Sequence, residues 1–342
     1  MPNLPKPRLR RAARTRGAVV GRPAEPERPN VEVIEGAPAD GQALRWINIE
    51  QPRSVDRAWL EEHFDFHPLD YEDVFSRNQR PKVDEYDDYL FVVLHFTAYD
   101  KILGRLSAAE LDVFLGPDYV VTLPNQPIQP LEYLFERCRT REDLREQLFS
   151  KGPGYLLYKI VDDCVDASFP MLRKIGNKLE RIEEDIFEGR SAEVVRDISN
   201  VKQEIINFRK IVRPQRAVFG DLERNKARYI ADDLDIYFDD IVDASERIWQ
   251  LLEGYKETVE ALEVTNESVI SHRFNDILRI LTVFSIVFLP ATLIASIWGM
   301  NVGLPGGGQP ASSSHSVFWI IIAAIAVMLG GMLAYFRRRG WF

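Results

Sequence analysis

The longest uninterrupted apolar pattern lies at the C-terminal end of the chain. From Ile280 to Phe318 there is no Asp, Glu, Lys or Arg. This stretch holds one apolar run, Ile280–Trp298, and leads into a second, Val317–Phe336. Each is as long as a helix needs to cross a hydrocarbon core, and longer than the apolar stretch of an ordinary core helix. The pattern predicts two membrane spans rather than a helical hairpin buried in a soluble core. Arg273 and Arg279 precede the first run, and Arg337, Arg338 and Arg339 follow the second. The connection Asn301–Ser316 has neither Lys nor Arg. Positive charge gathers on the cytoplasmic side of a span, so both termini are expected in the cytoplasm and the connection outside. Trp298, Trp319 and Trp341 fall near span ends, where indole rings favour the interface.

Upstream, no proline interrupts the chain from about Asp232 until Pro290. Ile248, Leu252, Tyr255, Val259, Leu262, Asn266 and Val269 alternate four and three residues apart, a heptad seam that calls for a partner helix. Asn266 is the kind of seam residue that fixes register or oligomeric state. A helix running unbroken into the first span would be a rod of roughly 100 Å. Within the span the same spacing continues in different chemistry. Asn275, Leu278, Thr282, Ser285, Leu289, Thr292, Ser296 and Gly299 share one face, mostly small or polar, while Ile, Val, Phe and Leu occupy the others. Such a stripe suits close helix packing in lipid or the wall of a water-filled path. Its length, and the amide at its start, favour the path. A path with one such helix per chain needs several chains around an axis.

The remaining pattern divides the chain. Residues 1–30 are rich in Arg and Pro and are expected to be a disordered basic tail. Residues 31–165 read as a mixed α/β cytoplasmic domain. Its strands are expected at Val31–Ile34, Leu44–Ile49, Tyr89–Thr97, Leu111–Leu115 and Tyr119–Leu123, with helices around Arg57–Phe64 and Pro68–Val74. Leu131–Phe149 reads as one charged amphipathic helix, and helix resumes at Tyr155 after Gly152-Pro153-Gly154. Residues 166–230 read as a helical hairpin: Leu172–Phe187, a turn at Glu188-Gly189-Arg190-Ser191, and a return helix stopping near Pro214. Residues 231–299 are the stalk helix and first span, 300–316 the external loop, 317–336 the second span and 337–342 a basic cytoplasmic tail.

The net charge is −9 although both ends are basic, so the interior of the sequence is strongly acidic. That disfavours nucleic acid as a partner and favours cations. Cys138 and Cys164 have no metal-ligand spacing and read as reduced cytosolic thiols. The basic start lacks an apolar signal core, so the first span is expected to direct insertion. No phosphate loop, HExxH or nucleophile elbow is present, and Gly306–Gly308 lies in the expected external loop. An enzyme is not indicated, and no covalent cofactor is expected.

At Gly299-Met300-Asn301 the chain resembles the CorA family of divalent-cation, chiefly Mg²⁺, channels. The tripeptide ends the first of two C-terminal spans. The run Asn275-Asp276, Leu281-Thr282, Pro290 and Thr292-Leu293-Ile294-Ala295 precedes it as in that family, and Tyr335-Phe336-Arg337-Arg338-Arg339 is similar to its basic tail. His67-Pro68-Leu69, Glu72-Asp73, Gln79-Arg80-Pro81-Lys82-Val83 and Tyr237-Phe238-Asp239-Asp240 resemble its cytoplasmic pattern. The resemblance implies an α+β membrane protein: a homopentameric funnel with a cytoplasmic αβα domain, a stalk helix lining the pore and an outer ring of second spans. It implies a selectivity filter at Gly299, Met300 and Asn301. Gly299 would supply a backbone carbonyl, and Asn301 a hydrogen bond to the hydrated ion. Asn275 would form an inner polar ring. Leu278 and Leu289 would form apolar constrictions, with Thr282, Ser285, Thr292 and Ser296 on the same wall. It also implies regulatory Mg²⁺ held between subunits by Asp100 and Asp240, closing the pore.

One departure stands out. Many members carry an acid shortly after the tripeptide, whereas Val302-Gly303-Leu304-Pro305-Gly306-Gly307-Gly308-Gln309-Pro310 has none. That flavour is similar to the zinc-transporting ZntB branch, and His315 is a candidate to meet Zn²⁺. Three functions therefore compete: a potential-driven Mg²⁺ channel, a secondary transporter of Zn²⁺, Co²⁺ or Ni²⁺, and a membrane-anchored sensor or scaffold. The hydroxyl stripe argues against pure anchoring. The expected partners are the lipid bilayer, divalent cations and further copies of the chain.

Overall fold

A computed structural model describes residues 28–36, 43–76, 79–100, 105–188, 191–224, 230, 234–298 and 315–341. They form two compact units. One draws on the described residues within Met1–Ala98, Ala108–Val165 and Pro214–Asp243, the other on those within Tyr99–Ser107, Asp166–Arg213 and Ala244–Phe342.

The first unit is a sheet with helices. Its elements are β1 (Glu32–Gly36), β2 (Leu44–Asn48), α1 (Ser54–His63), α2 (Pro68–Phe75), β3 (Lys82–Glu85), β4 (Leu90–Asp100), β5 (Arg105–Leu115), β6 (Tyr119–Pro124), α3 (Gln129–Thr140), α4 (Glu142–Phe149) and α5 (Gly152–Asp166). The strand order is β1-β2-β6-β5-β4-β3. β2 and β6 pair in parallel, with Trp46 opposite Val120. The central strands read as continuous apolar runs because both faces are covered; Leu90, Phe91, Val92, Val93 and Leu94 are all buried. On one face Leu60, Phe66, Tyr71 and Val74 of the α1–α2 segment join Ile47, Phe91, Phe114 and Val121 in one core. On the other, Trp46 meets Phe135 of α3 edge-on at 4.9 Å.

The strands expected from sequence are present, and β3 was not foreseen. Its Lys-Val-Asp-Glu sequence lacks the apolar alternation that marks a strand, yet it pairs with β4 along the full register from Lys82↔Val93 to Glu85↔Leu90. The helix expected over Leu131–Phe149 is two helices. Arg141 adopts an extended conformation between them (φ −116°, ψ 107°), so α3 ends at Thr140. Helix α5 begins three residues earlier than Tyr155, at Gly152, whose φ of 84° is a left-handed turn that glycine adopts freely.

The remaining elements are helices, α6 (Ser168–Glu188), α7 (Ser191–Arg224), α8 (Asp235–Trp298) and α9 (His315–Arg338); α7 up to Arg213 and α8 from Ala244 belong to the second unit. Helix α7 does not stop near Pro214. Proline removes one intrahelical donor, but burial of Val218, Phe219 and Leu222 carries the helix on. Just beyond it, in the sheet unit, Gln215 Oε1 accepts the backbone N–H of His95 at 2.8 Å, satisfying a β4 donor past the end of β3.

The heptad seam finds its partners within the chain. Ile248, Leu252, Val259, Leu262 and Asn266 of α8 are buried, as are Leu172, Ile175, Leu179 and Ile182 of α6 and Val194, Ile198, Val201 and Ile205 of α7. Ion pairs stitch neighbouring helices: Lys178–Glu204 at 2.6 Å, Lys202–Glu263 at 2.6 Å and Arg209–Glu253 at 2.5 Å. Asn266 therefore sits buried in an intrachain bundle.

Candidate functional site

Helix α8 carries most of the expected site residues, and the contacts around it set which way they face. Toward its C-terminal end, Val283 and Val287 pack with Phe336 of α9, with Leu329 and Met332 against them. These valines, one turn apart, define the α9-facing side of α8. At about 100° per residue the stripe from Asn275 to Ser296 is centred roughly 160° around the helix from them. Asn275, Leu278, Thr282, Ser285, Leu289, Thr292 and Ser296 are all exposed in the single chain, Leu289 at 66%. The stripe thus faces away from the second span.

The hydroxyls on the stripe are oriented by the helix. Thr282 Oγ1 donates to Leu278 O at 2.7 Å, Ser285 Oγ to Leu281 O at 2.9 Å and Thr292 Oγ1 to Phe288 O at 2.9 Å. Each proton is committed to a carbonyl four residues back. What remains outward is the oxygen with its lone pairs. At these three positions the stripe presents acceptors rather than donors, with leucine between them.

Both candidate spans are long and apolar enough to cross a membrane, and their apolar stretches are almost wholly unburied by the chain itself. Pro290 lies inside α8 without ending it.

The other expected site residues are placed unevenly. Gly299, Met300, Asn301 and most of the loop, including Val302–Pro310, lie outside the described residues. His315 begins α9. Asp100 closes β4, and its side chain is outside the description. Asp240 is exposed on the first turns of α8, beside an aromatic cluster in which Tyr237 stands 5.2 Å from Tyr155 and 4.9 Å from Tyr158. Burial pushes the Tyr158 hydroxyl up to about 12, with the charges of Asp162 and Asp240 adding to the shift. Among the described residues no group of three or more His, Cys, Asp or Glu side chains is placed to hold a metal ion. A groove of about 820 Å³ between α6 and α7 is lined by Glu184, Asp185, Glu188, Asp197 and Glu204 with Lys178 and Arg181, and it holds none of the expected site residues.

Sequence reasoning passed over a cluster of charge on the sheet, partly buried at Lys82, Asp73 and Asp84 and fully buried at Asp112. Lys82 of β3 bonds Asp73 of α2 at 2.7 Å and also Asp84. Burial works against the Lys82 ammonium, but these carboxylates raise it above its usual value. Asp112 of β5 is buried with Oδ1 unpartnered. Burial raises its carboxyl well above the ordinary range, and Glu110 and Asp73 push the same way. The signal in sequence was a pair of acids two positions apart, Glu110 and Asp112, in the largely apolar second half of a strand.

Residues 41–338 match the family described as CorA-like Mg²⁺ transporter protein. The chain belongs to this family. It is a divalent-cation transporter of the CorA type rather than an enzyme. It is 29% identical to the cobalt/magnesium transport protein CorA of Thermotoga maritima, over 88% of this chain and 84% of that one. It is 29% identical to a putative metal ion transporter of Bacillus subtilis, YfjQ, over 88% of this chain and 90% of that one. The complete structure of the CorA magnesium transporter from Methanocaldococcus jannaschii shares its fold, with a TM-score of 0.75 at 21% identity, covering 87% of this chain and 92% of that one. A mixed α/β N-terminal region, a long helix and two C-terminal spans are therefore the family's architecture in this chain.

Proposed function

We propose that five copies of the chain form a channel that admits Mg²⁺ down the membrane potential. The observation that carries this reading is the row of hydroxyl oxygens on α8. Mg²⁺ sheds water reluctantly, and the water around a cation points its hydrogens outward. A wall of acceptors suits that hydrated surface, whereas a wall of donors would repel it. Thr282, Ser285 and Thr292 offer such acceptors on the side turned from α9. Arranged about a closed symmetry axis, the stripe becomes the inner wall and α9 the outer ring.

In this reading Gly299, Met300 and Asn301 form the outer mouth, where neutral oxygens select the hydrated ion without stripping it. Asn275 forms the inner polar ring. Leu278 and Leu289 narrow the path with apolar side chains that close it by dewetting. Asp100 and Asp240 of neighbouring subunits repel each other when empty and are bridged by internal Mg²⁺, which holds the pore shut. Both termini face the cytoplasm of a cell membrane.

The test is flux into liposomes holding the purified protein and an ion-sensitive dye. Under an inside-negative potential, saturable Mg²⁺ entry that disappears in Asn301→Ala supports the channel. Zn²⁺ entry that follows a pH gradient, with little Mg²⁺ flux, would replace it with proton-coupled transport of the softer ion.

A further inference from the structure

The open ends of the membrane hairpin come together on one side. Phe336, near the end of α9, is buried with Val283 of α8. Arg279 lies one turn before Val283, and Arg337, Arg338 and Arg339 follow Phe336 directly. The chain then turns back on itself. Gly340 has a φ of 69°, Gly340 N donates to Arg337 O at 3.2 Å, and Trp341 N donates to Phe336 O at 3.1 Å. This is a glycine-terminated helix cap. It lays the Trp341 ring 5.4 Å from that of Phe336. It also sets the Arg279 guanidinium 5.9 Å from the Trp341 centroid.

The resulting cluster is strongly cationic. Among the described residues Arg337, Arg338 and Arg339 have no ion-pair partner. Arg279 has only a long, exposed contact with Asp276, at 3.9 Å. Arg339 stacks over the Tyr335 ring at 5.7 Å. The charges sit where both apolar runs end, which is headgroup depth for a spanning hairpin, and the indole is a side chain that settles there.

We propose that Arg279, Arg337, Arg338, Arg339 and Trp341 form a site for the phosphate of an anionic phospholipid headgroup. Guanidinium forks match phosphate oxygens in a bidentate way. A headgroup supplies negative charge that the described residues do not place beside Arg337, Arg338 and Arg339, and its acyl chains lie against the exposed apolar faces of α8 and α9. Trp341 holds Arg279 toward the tail, so the lipid joins the two spans at the open end of the hairpin. The inference rests on both helices spanning the bilayer, not on which ion crosses.

The experiment is native mass spectrometry of the full-length protein with phosphatidylglycerol, phosphatidylcholine or inorganic phosphate added. Retention of phosphatidylglycerol over phosphatidylcholine is expected. Each arginine contributes about fivefold to attraction for an anionic surface, so the triple variant Arg337→Gln, Arg338→Gln, Arg339→Gln should weaken retention by roughly a hundredfold. Trp341→Ala, with every arginine kept, should weaken it severalfold. Equal retention of the two lipids, or an unchanged preference in the triple variant, would overturn the site. Displacement of phosphatidylglycerol by inorganic phosphate would reassign it to a soluble anion. Liposome flux is read in parallel. Lost lipid preference with intact flux in the wild-type protein removes this proposal alone, and lost flux with intact preference removes the transport reading alone.

Discussion

Trp46 and Thr122 are joined by a hydrogen bond inside the sheet, indole Nε1 to Oγ1 at 3.1 Å, with both residues wholly buried. Thr122 in turn donates toward Asn48 Oδ1 at 2.8 Å, so one β6 hydroxyl serves two side chains of β2. Thr122→Val keeps the shape and removes both roles. A buried indole N–H and a buried amide oxygen would then each lose a partner, a loss of about 1–3 kcal/mol. Denaturant melts of the variant should show that loss, and an unchanged midpoint would mean the network relaxes.

Asp112 supplies a pH dependence. Its carboxyl is raised in the folded protein by burial, then by Glu110 and Asp73, with Lys82 opposing. A raised acid favours the folded state fully below its unfolded value, about 3.9. That contribution is lost as pH rises through the folded value, because the unfolded chain ionises first. Asp112→Asn mimics the protonated acid. It should be more stable than the wild type at pH 8, with the difference shrinking toward pH 4. A variant less stable at both ends would show that the ionised acid is bonded in the native state.

Much of this architecture was legible in the sequence because burial imposes period. The spans showed as runs without charge, and the seam of Ile248, Leu252, Val259 and Leu262 as a heptad. What the period could not say is who the partner is. The same seam serves a second copy or the chain's own α6 and α7, and only the complementary stripes Leu172–Ile182 and Val194–Ile205 decide for the latter. β3 was missed because its Lys82 pairs with Asp84 of the same strand and with Asp73 of α2 instead of burying apolar side chains. Pro214 misled because local propensity yielded to the packing of Val218 and Phe219. The stripe was visible as residue types. That its hydroxyl protons turn inward required coordinates.

The regulatory reading makes its own prediction. Asp240 is exposed on the first turns of α8. Asp100→Asn combined with Asp240→Asn should remove most of the inhibition of flux by internal Mg²⁺ while leaving entry at low internal Mg²⁺ intact. Inhibition persisting at the wild-type concentration would place the sensor elsewhere.

The orientation of α8 can be read with single cysteines. The native thiols give little background: Cys138 and Cys164 are buried, and burial pushes the Cys138 thiol up to about 11 and the Cys164 thiol higher still. Thiolate is the reactive form. The measurement is block of Mg²⁺ flux by Cd²⁺ in Ser285→Cys and Leu289→Cys, on the stripe, and in Val287→Cys, against α9. Block at residues 285 and 289 with none at 287 is the result expected of a hydroxyl-lined path. Block at 287 with flux through 285 and 289 untouched would turn the helix around and contradict it.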